Sequence, residues 1–164
     1  MQLPLMILLQ ESDYQALETF PLLWRWTDPR WNVLPSAILA DIRVLTAAKT
    51  YAISERWGLF TRGRADTIPP FEFIDRLTEL DVATRSDAQA QDWLQRQVVN
   101  LQQRVVVIWS PAIAVQTSLA VFQTYWSDFC YPASDDVAIL PLTADWLLTY
   151  SHKEVFRFGR RAAE

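Results

Sequence analysis

One cysteine, one histidine and three glycines are all that the 164-residue chain holds of three residue types that often carry chemistry. With Cys130 alone, an intramolecular disulfide framework and a multi-cysteine metal site are excluded. A reducing cytoplasm suits such a chain. With His152 alone, catalysis and metal binding have a single imidazole to draw on. Gly58, Gly63 and Gly159 are too few and too scattered for the glycine-rich loops that cradle phosphate. Positive charge is also short: the net charge is −4 and the pI near 5.0. That balance disfavours nucleic acid and anionic membrane as partners. Arg62-Gly63-Arg64 and Arg160-Arg161 are small basic spots, read as a solvated loop and tail. No apolar run reaches the length of a membrane span. The apolar start, Met1 to Leu9, has no basic residue and meets Glu11 and Asp13 at once. It is unlike a secretory signal and is expected to be an opening strand or loop packed on the core.

Apolar surface, by contrast, is plentiful. Half the residues are hydrophobic, with eight tryptophans and eight phenylalanines. Burying one such ring is worth about 1.5–3 kcal/mol. The length suits one domain, 1–164, with a core that needs no staples.

Local patterns predict the elements. Phe20 to Trp31 crowds Trp24, Trp26 and Trp31 between prolines. On a strand, Trp24 and Trp26 would share one face, as core or as an exposed docking patch. Ser36 suits the start of one helix and Thr46 the start of a second, ending at Trp57 with Gly58 as a left-handed stop. A single longer helix over 36–57 fits the apolar stripe as well. Residues 59–70 read as a loop, and Phe71 to Leu80 as a short helix. Ser86 and Gln89 form a capping-box pattern for a helix with Ala90, Trp93, Leu94, Val98 and Leu101 on one face.

The last third is denser. Arg104 to Trp109 is a nearly unbroken apolar run, as in an inner strand. Val115, Leu119, Phe122, Trp126 and Phe129 then recur at helical spacing. Asp136–Leu140, Trp146–Tyr150 and Val155–Phe158 are strand-length, with short links that imply an antiparallel meander. The expected fold class is α+β: N-terminal helices packed on a mainly antiparallel sheet of about four strands, formed largely by the C-terminal third.

No reaction motif is present. No glycine-rich elbow surrounds a serine. His152 has Ser151 and Glu154 nearby in sequence, with Asp128, Asp135 or Asp136 as orienting acids. Cys130 follows a helix end, where partial negative charge opposes a thiolate. Asp135 and Asp136, with Asp128 upstream, form the densest acidic spot, without the spacing of a calcium loop. Trp126, Tyr131, Trp146 and Tyr150 flank it, either as ordinary core or, since acids among aromatics make good anchors, as contacts for a basic protein partner.

The C-terminal block resembles the corresponding part of small, mostly uncharacterised bacterial proteins, some of them immunity-type. The likeness rests on Val105 to Trp109, on Phe122, Tyr125, Trp126 and Asp128 to Pro132, on Asp135-Asp136, and on Tyr150, His152, Glu154 and Phe156. It covers about a third of the chain. It implies one α+β domain and a role in neutralising a partner protein, and it transfers no functional residue.

The leading expectation is therefore a cytoplasmic, immunity- or antitoxin-like binding module. Its contact residues would be Trp126, Asp128, Tyr131, Asp135, Asp136, Trp146, Tyr150, His152 and Glu154, facing a partner with a basic site. No metal or cofactor is expected. The alternative is a small-ligand protein or hydrolase-type enzyme using His152 with nearby carboxylates. A structural subunit or homodimer is the third reading.

Overall fold

Val105, Val106, Val107 and Ile108 are all fully buried. Successive strand residues point to opposite faces of a sheet, so this strand must be covered on both. The computed structural model describes residues 6–60, 73 and 75–162 and shows both covers. Val105 and Val107 join one apolar cluster, Val106 and Ile108 another.

The elements, in order, are β1 (Tyr14–Gln15), α1 (Trp24–Thr27), α2 (Ser36–Asp41), β2 (Arg43–Leu45), α3 (Ala47–Arg56) and β3 (Asp75–Asp81). Then come α4 (Asp87–Gln97), β4 (Arg104–Ser110), β5 (Ile113–Ser118), α5 (Leu119–Thr124), α6 (Trp126–Phe129), β6 (Val137–Pro141), β7 (Trp146–Ser151) and β8 (Val155–Arg160). Single 3-10 turns lie at Glu11–Asp13 and Leu17–Thr19. All eight strands form one sheet in the order β1-β2-β5-β4-β6-β7-β8-β3. Every pairing is antiparallel.

The larger cluster fills the face under α1, α4, α5 and α6, with Trp26, Trp93, Phe122, Trp126 and Phe129. On the other face Ile53 of α3, Trp57 and Phe73 cover Val106, Ile108 and Leu147. Ile7 packs there too, and its N–H donates to the carbonyl of Leu142. Of the apolar opening, Ile7 is thus tied to the core, while Met6 and Leu8 are exposed and residues 1–5 lie outside the described residues.

The expected sheet of about four strands is corrected to eight. The four anticipated strands, β4, β6, β7 and β8, are its contiguous centre. Three of the added strands come from the N-terminal half. β1 and β2 have two and three residues, too few to show a period. β3 replaces the helix expected over 71–80, of which residues 71, 72 and 74 lie outside the described residues. It pairs with β8 at the sheet edge and is mostly exposed, so partner strand rather than local pattern sets its form.

The fourth added strand, β5, was hidden inside the helical spacing of Val115 to Phe129. Pro111 and Ala112 make a tight turn, and Val115 pairs with Val107. Helix begins only at Leu119, where Ser118 accepts a hydrogen bond from the Val121 N–H. Val115, Leu119, Phe122, Trp126 and Phe129 still share one cluster, because strand and helices face the same layer. Over 36–57 there are two helices with β2 between them. Thr46 caps the second through the Lys49 N–H, and Gly58 stops it at φ 66°.

Gly159 is a close-approach site. A Cβ there would lie 1.7 Å from the carbonyl oxygen of Phe73. Gly159→Ala is expected to cost at least about 1–3 kcal/mol, since a backbone atom must give way. A urea melt of the variant, with the wild-type m-value kept, checks this; an unchanged midpoint contradicts the approach.

Candidate functional site

The nine residues expected at a contact surface separate into interior and rim. Trp126, Trp146 and Tyr150 are buried in the larger cluster. Burial pushes the Tyr150 phenol well above its ordinary pKa. Asp135 is buried as well. Asp136, His152 and Glu154 are half-buried around the β7–β8 turn, where Glu154 sits at φ 62°. Asp128 and Tyr131 are half-buried. The nine therefore do not form one face. Proximity in sequence misled because β7 is covered on both sides, so all six of its residues are buried.

Asp135 explains why the loop before β6 holds its shape. Arg25 Nη1 donates to its Oδ2 at 2.5 Å and Nη2 to its Oδ1 at 2.9 Å. Oδ2 also accepts the Tyr131 N–H at 2.8 Å. The Arg25 guanidinium lies 4.0 Å from the Tyr131 ring centroid and 5.5 Å from that of Trp24. Asp136 secures the far end: its Oδ1 accepts the His152 N–H at 2.9 Å and lies 3.0 Å from His152 Nδ1.

Three indoles hold α6 in place. Trp26 Nε1 donates to the Asp128 carbonyl and Trp109 Nε1 to that of Phe129. These are C-terminal helix carbonyls that lack partners inside the helix. Trp126 Nε1 donates to the Asp87 carbonyl and so ties the first turn of α4 to α6.

This scaffold presents an aromatic patch. The Trp24–Arg25–Trp26 segment is helical, not extended, and in a helix positions two apart point to opposite sides. Trp26 is therefore fully buried, and Trp24 is 38 % exposed. Trp24 meets Trp31, itself 56 % exposed, at a centroid distance of 5.1 Å. Both meet Tyr131, at 5.9 and 6.0 Å. Next to Trp31, the Asn32 side-chain amide donates to both oxygens of Asp128 at 3.1 Å. Ser127 Oγ donates to Asp87 Oδ2 at 2.8 Å. Burial, with the Asp87 charge adding to it, holds the Asp128 carboxyl above its ordinary pKa despite the Asn32 bond. Burial likewise raises the Tyr131 phenol, against the Arg25 charge, which lowers it, and with the Asp128 and Asp135 charges adding to the rise. Among the described residues neither Asp87 nor Asp128 has a cationic partner.

The rest of the chemistry is thin. Burial, then the Asp135 charge, pushes the Cys130 thiol well above its usual range, so it is an inert core group. Ser151 is buried, and its Oγ accepts the Lys153 N–H. Among the described residues no group of three or more His, Cys, Asp or Glu could hold a metal. No helix there is long and apolar enough to cross a membrane. A small open cleft of about 110 Å³ lies elsewhere, lined by Ile7, Lys49, Arg56 and Trp57 among others. No protein-family model, curated protein or solved structure matches the chain.

The sequence pointed to Tyr131 and Asp128 but not to Trp31, Asn32 or Asp87. Trp24 and Trp31 carried a signal, as tryptophans in a proline-bounded segment. Asp87 carried none, being an ordinary first-turn acid.

Two stability measurements follow from this geometry. Arg25→Met strands a buried carboxylate and is expected to cost about 3–5 kcal/mol, much of it recovered in Arg25→Met/Asp135→Leu; a single-variant melt within error of wild type contradicts the pair's burial. The folded state holds the Asp128 proton more tightly than the unfolded chain does. Its contribution therefore favours folding at low pH and is lost as pH rises through the folded pKa. Asp128→Asn is thus expected to keep or raise Tm near neutral pH, with the gain shrinking on acidification; a large loss at neutral pH contradicts it.

Proposed function

We propose that this protein is a cytoplasmic protein-binding module, immunity- or antitoxin-like, whose contact surface is the Trp24–Trp31–Tyr131 patch with Asp128 at its rim. One observation carries the reading. The fold buries Trp26, Trp57, Trp93, Trp126 and Trp146 and leaves Trp24 and Trp31 exposed in contact with each other. Leaving two indoles in water forgoes their burial, which a partner would restore. Tryptophan supplies large area at small entropic cost, which is why it recurs at the centres of interfaces. The lone cysteine fits a reducing compartment.

The catalytic alternative has the Asp136–His152 contact in its favour. A hydrolase would also need a nucleophile within reach, and Ser151, the adjacent hydroxyl, is buried and already engaged. Binding through the rings is the better supported of the two.

The test compares wild type with Trp24→Ser/Trp31→Ser as bait in lysate of the source cells. The double variant should keep its circular dichroism and melt within about 1–2 kcal/mol of wild type, because both rings are partly solvated. A protein retained by wild type and lost from the variant is the expected result. An identical set of retained proteins, or none, rejects the patch as the contact surface.

A further inference from the structure

The chain uses one device twice. Arg25 lies over Tyr131 while both its terminal nitrogens meet the Asp135 carboxylate. Arg43 lies 3.6 Å from the Tyr14 ring centroid while its terminal nitrogens meet Glu11 at 3.2 and 2.8 Å. In each case a planar guanidinium satisfies a ring face and a carboxylate together. A lysine ammonium does this less well, because it lacks the flat fork.

A third set of the same parts stands without its arginine. Trp31 is the most exposed of the patch rings, and among the described residues no cation lies over it. Beside it Asn32 holds the Asp128 carboxylate by both oxygens, and Ser127 holds Asp87 next to that. The backbone under both acids is fixed from below, by Trp26 at the Asp128 carbonyl and Trp126 at that of Asp87. Both carboxylates are thus oriented by neutral donors, and among the described residues no cation neutralises either. The charge on Asp87 is felt at Asp128, which a nearby cation would relieve.

We propose that the patch receives a basic segment of a partner protein, with an arginine side chain lying across the Trp31 and Tyr131 rings and its guanidinium directed to Asp128 and Asp87. This rests on the protein-binding reading and names the chemistry of the partner. The rings supply buried area, and the two acids select a guanidinium and steer its approach.

The probe is the peptide acetyl-Gly-Arg-Gly-amide, with the citrulline peptide as its uncharged isostere, titrated into the 15N-labelled full chain. Concentrations run to about 20 mM, since a single side chain binds in the millimolar range. The arginine peptide should shift the Trp31 indole and Asn32 side-chain amide resonances and leave the buried Trp26 and Trp126 indoles in place. The citrulline peptide should leave all four unmoved. Asp87→Asn/Asp128→Asn, which preserves shape and leaves one oxygen at each position to accept from Ser127 or Asn32, should weaken the arginine peptide about ten-fold. No shift at saturation of the range, equal response to both peptides, or unchanged affinity in the double variant overturns the proposal. Self-association by light scattering that Trp31→Ser abolishes would overturn it too, by placing a second copy on the patch. If the Trp24→Ser/Trp31→Ser protein loses its cellular partner while Asp87→Asn/Asp128→Asn retains it, the binding module stands and the arginine does not.

Discussion

The bidentate pair between Arg25 and Asp135 is the contact on which the loop before β6 and the Tyr131 ring depend. It joins α1 to the loop before β6 across 110 positions of sequence. Arg25 is only 5 % exposed. Two ions so deep are tolerable only when paired and hydrogen-bonded. Asp135 meets that condition by also taking the Tyr131 N–H. The same guanidinium supports the Tyr131 ring from beneath, and Tyr131 in turn contacts Trp24 and Trp31. A hydrophobic substitute of equal volume could hold α1 in place, but it could not orient a backbone N–H and a ring together.

The run of acids and aromatics in the C-terminal third thus has a structural use first. Asp135 and Asp136 face different partners, one an arginine from α1 and the other the β7–β8 turn. Between them they fasten both ends of a loop that contains the left-handed Ala133 and donates the Ala133 N–H to the His152 carbonyl. What this third adds to the exposed aromatic patch is one tyrosine and one half-buried carboxylate, completed by two tryptophans from the first. A carboxyl that the fold holds above its usual pKa opposes stability at neutral pH.

The central sheet was legible because its signals are local. Val105 to Ile108 has no polar position, and the links between β6, β7 and β8 are too short for anything but antiparallel neighbours. The capping box at Ser86 and the Thr46 cap were legible for the same reason, since each closes within one turn. β5 was not, because valine and phenylalanine at spacings of three and four satisfy a helix and a strand-then-helix alike once all face one layer. β3 was not, because its form depends on hydrogen bonds to β8, about 80 residues away.

Composition by itself determined that this chain builds a large aromatic core without disulfides, glycine loops or a cysteine metal site, and the β-rich pattern of its last third determined a mainly antiparallel sheet. Those properties follow from residue type and period alone. Only the tertiary structure decided which tryptophans are core and which are surface. A ring two positions from another is its neighbour on a strand and its opposite on a helix, and the helical turn at Trp24–Thr27 buries Trp26 and leaves Trp24 exposed.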